Sequence, residues 1–141
     1  MARIRARGNE STELAFMRLL RGHSITGWRR HMGITLPKPG RSNGDSKPPM
    51  VRPDFVFPKV KVAIFLDGCF WHGCPLHGTS PSSNSAFWSK KLAANRQRDR
   101  RVDRQLRAKR WSVIRVWEHQ LNDGRRLISK VRAALTNASD N

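Results

Sequence analysis

The apolar stretch spanning residues 55–66 narrows the folds open to this chain more than any other feature of it. Residues 55–57 and 60–66 form two strands joined by a short turn at Pro58 and Lys59, and positions 62–66 are continuously apolar, as central strands covered on both faces are. Such a strand needs partners above and below, which predicts a layered α/β domain.

The rest of the chain supplies those partners. Asn9, Ser11 and Thr12 offer N-caps before 13–20, where Leu14, Met17 and Leu20, or Phe16, Leu19 and Leu20, share a face, and Gly22 supplies a stop. Residues 87–109 hold helix formers, no Gly or Pro, and a dense run of Arg and Lys, so a long basic helix is expected there. Residues 111–117 alternate Trp111, Val113, Arg115 and Trp117 against Ser112, Ile114 and Val116, a strand with both faces partly covered. A last helix over 124–135 has Leu127, Ile128, Val131 and Leu135 at helical spacing.

Pro, Gly, Ser, Asn and Lys fill 35–53, which predicts a flexible loop; 68–84 is also loop-like, and a frayed tail is expected over 136–141. The order helix, two or three strands, helix, strand, helix gives one domain over 1–141, without repeats.

Charge points to the partner. Lys and Arg number 28 against 10 acidic residues, a formal +18, and such an excess opposes compaction by self-repulsion unless a polyanion binds. Nucleic acid is the leading candidate, with a ribosomal-type basic protein as the blander alternative. No stretch approaches the roughly 20 apolar residues of a membrane span, and the basic segment 1–7 leads into no apolar run, so a cytoplasmic location is expected.

The 2 cysteines, Cys69 and Cys74, lie too close together to staple distant segments, and His77 follows them within the same loop. Zinc takes thiolate and imidazole in tetrahedral sets of four, and the fourth ligand is expected from His119, with His72 as its competitor. Two buried thiols beside ordinary histidines are the plainer alternative.

Among so few acids, Asp54 opens one strand and Asp67 ends the next. Paired strands would bring such ends together, and a Mg²⁺ ion needs one or two carboxylates besides waters and substrate phosphate oxygens. Either aspartate alone would serve equally well as a turn former. His72 stands close enough to Asp67 in sequence to assist proton transfer, and Glu13 on the first helix could approach the same site, although an exposed face of an amphipathic helix explains it equally well. Phe70, Trp71, Phe87 and Trp88 lie outside the strands, where they either cover a small core around the loop or wedge between base steps. Arg96, Arg98, Arg100, Arg101, Arg104 and Arg107 form either a phosphate-contacting face or a solvated surface in which Asp99 and Asp103 make intrahelical pairs.

Taken in order, Arg52-Pro53-Asp54-Phe55, Gly68-Cys69-Phe70-Trp71-His72, Phe87-Trp88, Asn95 with Arg98-Asp99-Arg100, and Val116-Trp117-Glu118-His119 resemble the very-short-patch mismatch repair endonucleases, over 13–121. The resemblance implies a restriction-endonuclease-like core, a mixed central sheet flanked by helices with a zinc-bound loop. It implies Mg²⁺ at Asp54 with a backbone carbonyl near Leu66, a catalytic His72, and an active-site Glu13. Phe70, Trp71 and Trp88 would intercalate beside a T·G mismatch, with further DNA contacts from Asn95, Arg98 and Arg101. Two departures stand out: Asp67 replaces a histidine, leaving its role open between base and metal ligand, and His77 and His119 replace cysteines in the zinc set.

The expected activity is Mg²⁺-dependent nicking of one strand beside a T·G mismatch by a monomer that initiates very-short-patch repair, with mismatch-repair proteins as further partners. A nicking enzyme of a restriction or mobile-element defence system, without mismatch preference, is the nearest alternative. A non-catalytic, zinc-stabilised DNA-binding module is the alternative from another class.

Overall fold

A computed structural model describes residues 2–36, 49–68 and 85–139, with the side chains of 2–10, 85, 86, 88 and 139 outside that description. Its centre is the expected hairpin. Strand β4 (Phe55–Phe57) pairs antiparallel with β5 (Val62–Asp67), Phe57 opposite Val62, so residues 58–61 form the turn and Lys61 takes a φ of 55° there. The turn therefore consumes two more residues than the Pro58-Lys59 signal suggests.

β6 (Ser112–Trp117) lies parallel to β5, and a parallel neighbour needs a crossover, which helix α2 (Ser85–Ala108) provides. β1 (Arg29–Arg30) completes the order β1-β4-β5-β6 by pairing antiparallel with β4, Arg30 opposite Phe55. A separate two-stranded pair, β2 (Ile34–Thr35) with β3 (Met50–Val51), closes the two described ends of the segment expected to be a loop.

Strand alternation divides the core into two layers. Phe55, Phe57, Val62, Ile64, Leu66, Ile114 and Val116 form one cluster with Phe16 and Leu20 of α1 (Ala2–Gly22) and with Leu127, Ile128 and Val131 of α3 (Gly124–Ser139). Val56 and Ala63 cluster with Ile34, Leu36 and Leu106, so α2 and the β2-β3 pair cover the opposite face. This mixed sheet flanked by helices agrees with the expected α/β class.

Two helices outrun their sequence signals. α1 begins at Ala2 rather than near the Asn9, Ser11 and Thr12 caps, because Ala and Arg before them are good helix formers. Thr12, mid-helix, instead donates its hydroxyl to Glu118 Oε2 at 3.3 Å. α3 continues through Thr136 to Ser139, past the start of the expected frayed tail.

Candidate active site at the α1–β4 edge

Glu13 lies on the stripe of α1 that carries Phe16 and Leu20, three and seven positions on, and this drives a carboxylate inward to 4% exposure. Charge so placed needs partners. Arg30, at the end of β1, donates from Nη2 to Glu13 Oε2 at 2.7 Å, and His31 Nε2 stands 2.9 Å from Oε1. The β1-β4 pairing positions both donors, and the His31 N–H donates to the Asp54 carbonyl at 3.4 Å. His31 has a φ of 58°, a left-handed conformation that costs a residue with a Cβ about 1–2 kcal/mol.

Asp54 sits just before β4 and accepts the Leu66 N–H at Oδ2, 2.7 Å away. The N–H and C=O of a strand residue leave by the same edge, so the Leu66 carbonyl is directed to the Asp54 side of β5 too. Burial pushes the Asp54 carboxyl up to about 7, and a hydrogen bond with Glu13 and the negative charges of Glu13 and Asp67 reinforce the shift, against the Leu66 N–H. At Glu13 burial also raises the pKa, but hydrogen bonds from Asp54, Arg30 and His31 outweigh it and hold the group below its usual value. The two carboxyls thus share a proton, carried by Asp54.

One donor atom from each of Glu13, His31 and Asp54 lies within 4.8 Å of the others, a spacing at which all could approach one cation. A shared proton in a carboxylate pair marks where a cation can replace it. The arrangement can therefore hold a divalent ion at the edge of a strongly basic protein.

Asp67 has a different environment. Its side chain is 7% exposed and its Oδ1 accepts from Arg115 Nη1 at 3.1 Å. Arg115 also meets Asp103 at 2.7 Å and Asp99 at 3.6 Å, and its guanidinium stacks 4.1 Å from the centre of the Phe65 ring. Asp99 and Asp103 therefore turn inward from α2 to the sheet, where the sequence suggested pairing along their own helix.

Of the residues singled out in the sequence, Glu13, Asp54 and Leu66 come together. Arg98 and Arg101 are exposed on α2, whereas Asn95, 9% exposed, faces the protein interior. Phe87 is 60% exposed on the first turn of α2. His119 is half-buried in the 3-10 turn Glu118–Asn122, two residues beyond Trp117, the register partner of Asp67. Cys69, Phe70, Trp71, His72, Cys74 and His77 lie outside the described residues, as does the side chain of Trp88.

Sequence patterns did not point to Arg30 or His31. A strand of two residues has no periodicity to detect, and the available signal was the run Arg29-Arg30-His31 ahead of the Pro-Gly segment.

The family described as DNA mismatch endonuclease Vsr matches residues 41–77. The chain is 54% identical over 70 residues to Type II nicking enzyme V.NaeI of Lentzea aerocolonigenes, covering 50% of this chain and 42% of that protein. It is 42% identical over 85 residues to Type II nicking enzyme V.XorIIP of Xanthomonas oryzae pv. oryzae, covering 59% and 62%. Against DNA mismatch endonuclease Vsr of Escherichia coli K12 the identity is 40% over 78 residues, covering 54% and 49%. The chain spans about half the length of the curated relatives it matches.

Proposed function

Because the chain is a relative of the Vsr endonucleases, we propose that it nicks one strand of duplex DNA by divalent-ion-dependent phosphodiester hydrolysis, beside a T·G mismatch. The observation that carries this reading is the Glu13, His31 and Asp54 cluster at a sheet edge of a chain with a formal charge of +18.

The donor set fits Mg²⁺, which takes one or two carboxylates and keeps several waters and phosphate oxygens. Asp54 and the Leu66 carbonyl would hold the ion, with Glu13 beside them. A bound divalent ion supplies Lewis-acid stabilisation of the charge that develops on the scissile phosphate. Arg30 and His31 keep Glu13 ionised and oriented, and His72 assists proton transfer. Asp67, held by Arg115, fixes the end of β5 from which the 68–84 segment leaves.

Zinc is the proposed structural ion, bound by Cys69, Cys74, His77 and His119, whose thiolate and imidazole donors suit a tetrahedral site. His119 stands at the sheet end from which the Cys69 to His77 segment departs, which supports its inclusion. Phe70, Trp71 and Trp88 would open the stack where pairing is defective and unstacking costs least, while Arg98 and Arg101 grip phosphate. No helix among the described residues is long and apolar enough to cross a membrane.

A second reading is nicking without mismatch preference, since the relatives named Type II nicking enzyme carry a name that specifies a nick and no mismatch. Matched oligonucleotide duplexes, one with a T·G pair and one fully paired, separate the two when incubated with Mg²⁺ or with chelator. The expected result is a single-strand cut of the T·G duplex only, lost with chelator and with Asp54→Ala. Equal cutting of both duplexes selects the second reading. Tight binding without any cut leaves the non-catalytic binding module, and zinc measured on the same preparation tests the structural ion.

A further inference from the structure

This inference rests on the proposed role of Asp54 as ligand to a divalent ion. We propose that His31 is a further protein ligand of that ion, and that its nitrogen turns the site toward a first-row transition ion such as Mn²⁺ in preference to Mg²⁺.

The geometry is close to what one ion requires. With bonds of about 2.1 Å, octahedral ligands stand about 3.0 Å apart when adjacent and about 4.2 Å apart when opposite. His31 Nε2 and Glu13 Oε1 are separated by 2.9 Å, and the donor atoms of Glu13, His31 and Asp54 all fall within 4.8 Å of one another. Closing that set on a common centre exchanges the His31 Nε2 hydrogen bond to Glu13 for a bond to the ion, the Nε2 proton leaving to solvent, while Arg30 keeps Glu13 ionised and oriented.

His31 is also held in place from two directions. Its backbone N–H donates to the Asp54 carbonyl at 3.4 Å, so it is tied to the segment that presents Asp54. Its left-handed backbone, φ 58°, turns the imidazole to Glu13. Attachment of β1 to α1 does not need this contact, since Arg30 already makes it through its 2.7 Å bond to Glu13. The imidazole remains 53% exposed, which leaves an ion room to reach it from solvent.

The chemistry of the set separates ions. Two carboxylate oxygens alone suit hard Mg²⁺ and Ca²⁺, whereas an added imidazole nitrogen strengthens binding of first-row transition ions and gives Mg²⁺ little.

Mn²⁺ binding to the full zinc-loaded chain can be followed by loss of the free-ion EPR signal, with Mg²⁺ added as competitor at one pH. Wild type is expected to bind Mn²⁺ about tenfold more tightly than Mg²⁺, and His31→Ala to weaken Mn²⁺ by about tenfold while moving Mg²⁺ less than about threefold. Equal weakening of both ions, or an unchanged Mn²⁺ affinity, overturns the proposal. Asp54→Ala separates the two levels of the argument. If it leaves Mn²⁺ binding intact, the ion is not at Asp54 and both readings fall; if it removes binding while His31→Ala shows no ion selectivity, only the His31 proposal falls. Thermal unfolding checks that each variant folds. Should His31→Ala not fold, His31→Gln, which can still donate to Glu13 but lacks the ligating nitrogen, carries the same comparison.

Discussion

Asp54 would lose its proton near 3.8 in solvent and keeps it to about 7 here, because burial and the adjacent Glu13 carboxylate oppose its charge. The folded state therefore holds a proton that the unfolded chain has released between those two values, so stability falls as pH rises through that window. The contribution is fully present below 3.8 and gone once pH passes about 7. Asp54→Asn should accordingly be more stable than wild type at pH 8 in chelator, by on the order of a few kcal/mol, and about equal near pH 4. Urea unfolding midpoints at the two pH values measure this; a less stable variant at pH 8 would contradict it. A carboxylate pair kept buried at such a cost to the fold is better explained by a functional role than by packing. Glu13 became a candidate through the family resemblance, since its place in the α1 pattern suited an exposed helix face equally well, and only the fold shows it buried beside Phe16 and Leu20. Nothing comparable marked His31, whose role depends on a backbone turn and on the β1-β4 register.

Elements defined by long periodic patterns were the ones the sequence made legible. α2, β6 and α3 begin within two residues of their expected starts, and the β4-β5 hairpin differs only in how many residues its turn uses. The two-residue strands β1, β2 and β3 went unseen, because hydrogen bonding to a neighbour rather than side-chain alternation defines them. Arg115 shows the same limit within a recognised element. The alternation placed it on one face of β6 with Trp111, Val113 and Trp117, but only the fold brings Asp67, Asp99 and Asp103 to it from β5 and α2. That makes Arg115 the electrostatic joint between the sheet end and the basic helix. Arg115→Met keeps volume and removes the charge, leaving buried carboxylates without their cation, a change expected to cost about 3–5 kcal/mol. Adding Asp103→Asn should recover part of that loss, since it withdraws one of the stranded charges. Additive losses in a urea double-mutant cycle would show that the two residues do not act as a pair.

At the scale of the whole molecule, a formal +18 accompanies a fold that turns several of its acids inward. Glu13 and Asp67 are buried, and Asp99 and Asp103 face Arg115, so the outer arc of α2 is left to Arg96, Arg98, Arg100, Arg101, Arg104 and Arg107. An exposed run of arginines on one helix can meet phosphates without recognising bases. The expected sign of a partner was thus legible in composition, whereas the inward turn of Asp99 and Asp103, which leaves the arginines of α2 outside, required the fold. Each phosphate neutralised by a cationic side chain contributes about 0.9 to the slope of log affinity against log salt for duplex DNA. The double variant Arg98→Ala/Arg101→Ala should therefore flatten that slope by about 2, and by the same amount for T·G and fully paired duplexes, because phosphate contacts carry no sequence information. Fluorescence anisotropy over a salt series, with Ca²⁺ replacing Mg²⁺ to suppress cutting, measures both slopes. If the slope is unchanged, α2 presents a solvated face and the phosphates are held elsewhere; if it falls for the mismatched duplex alone, these arginines take part in recognising the mispair.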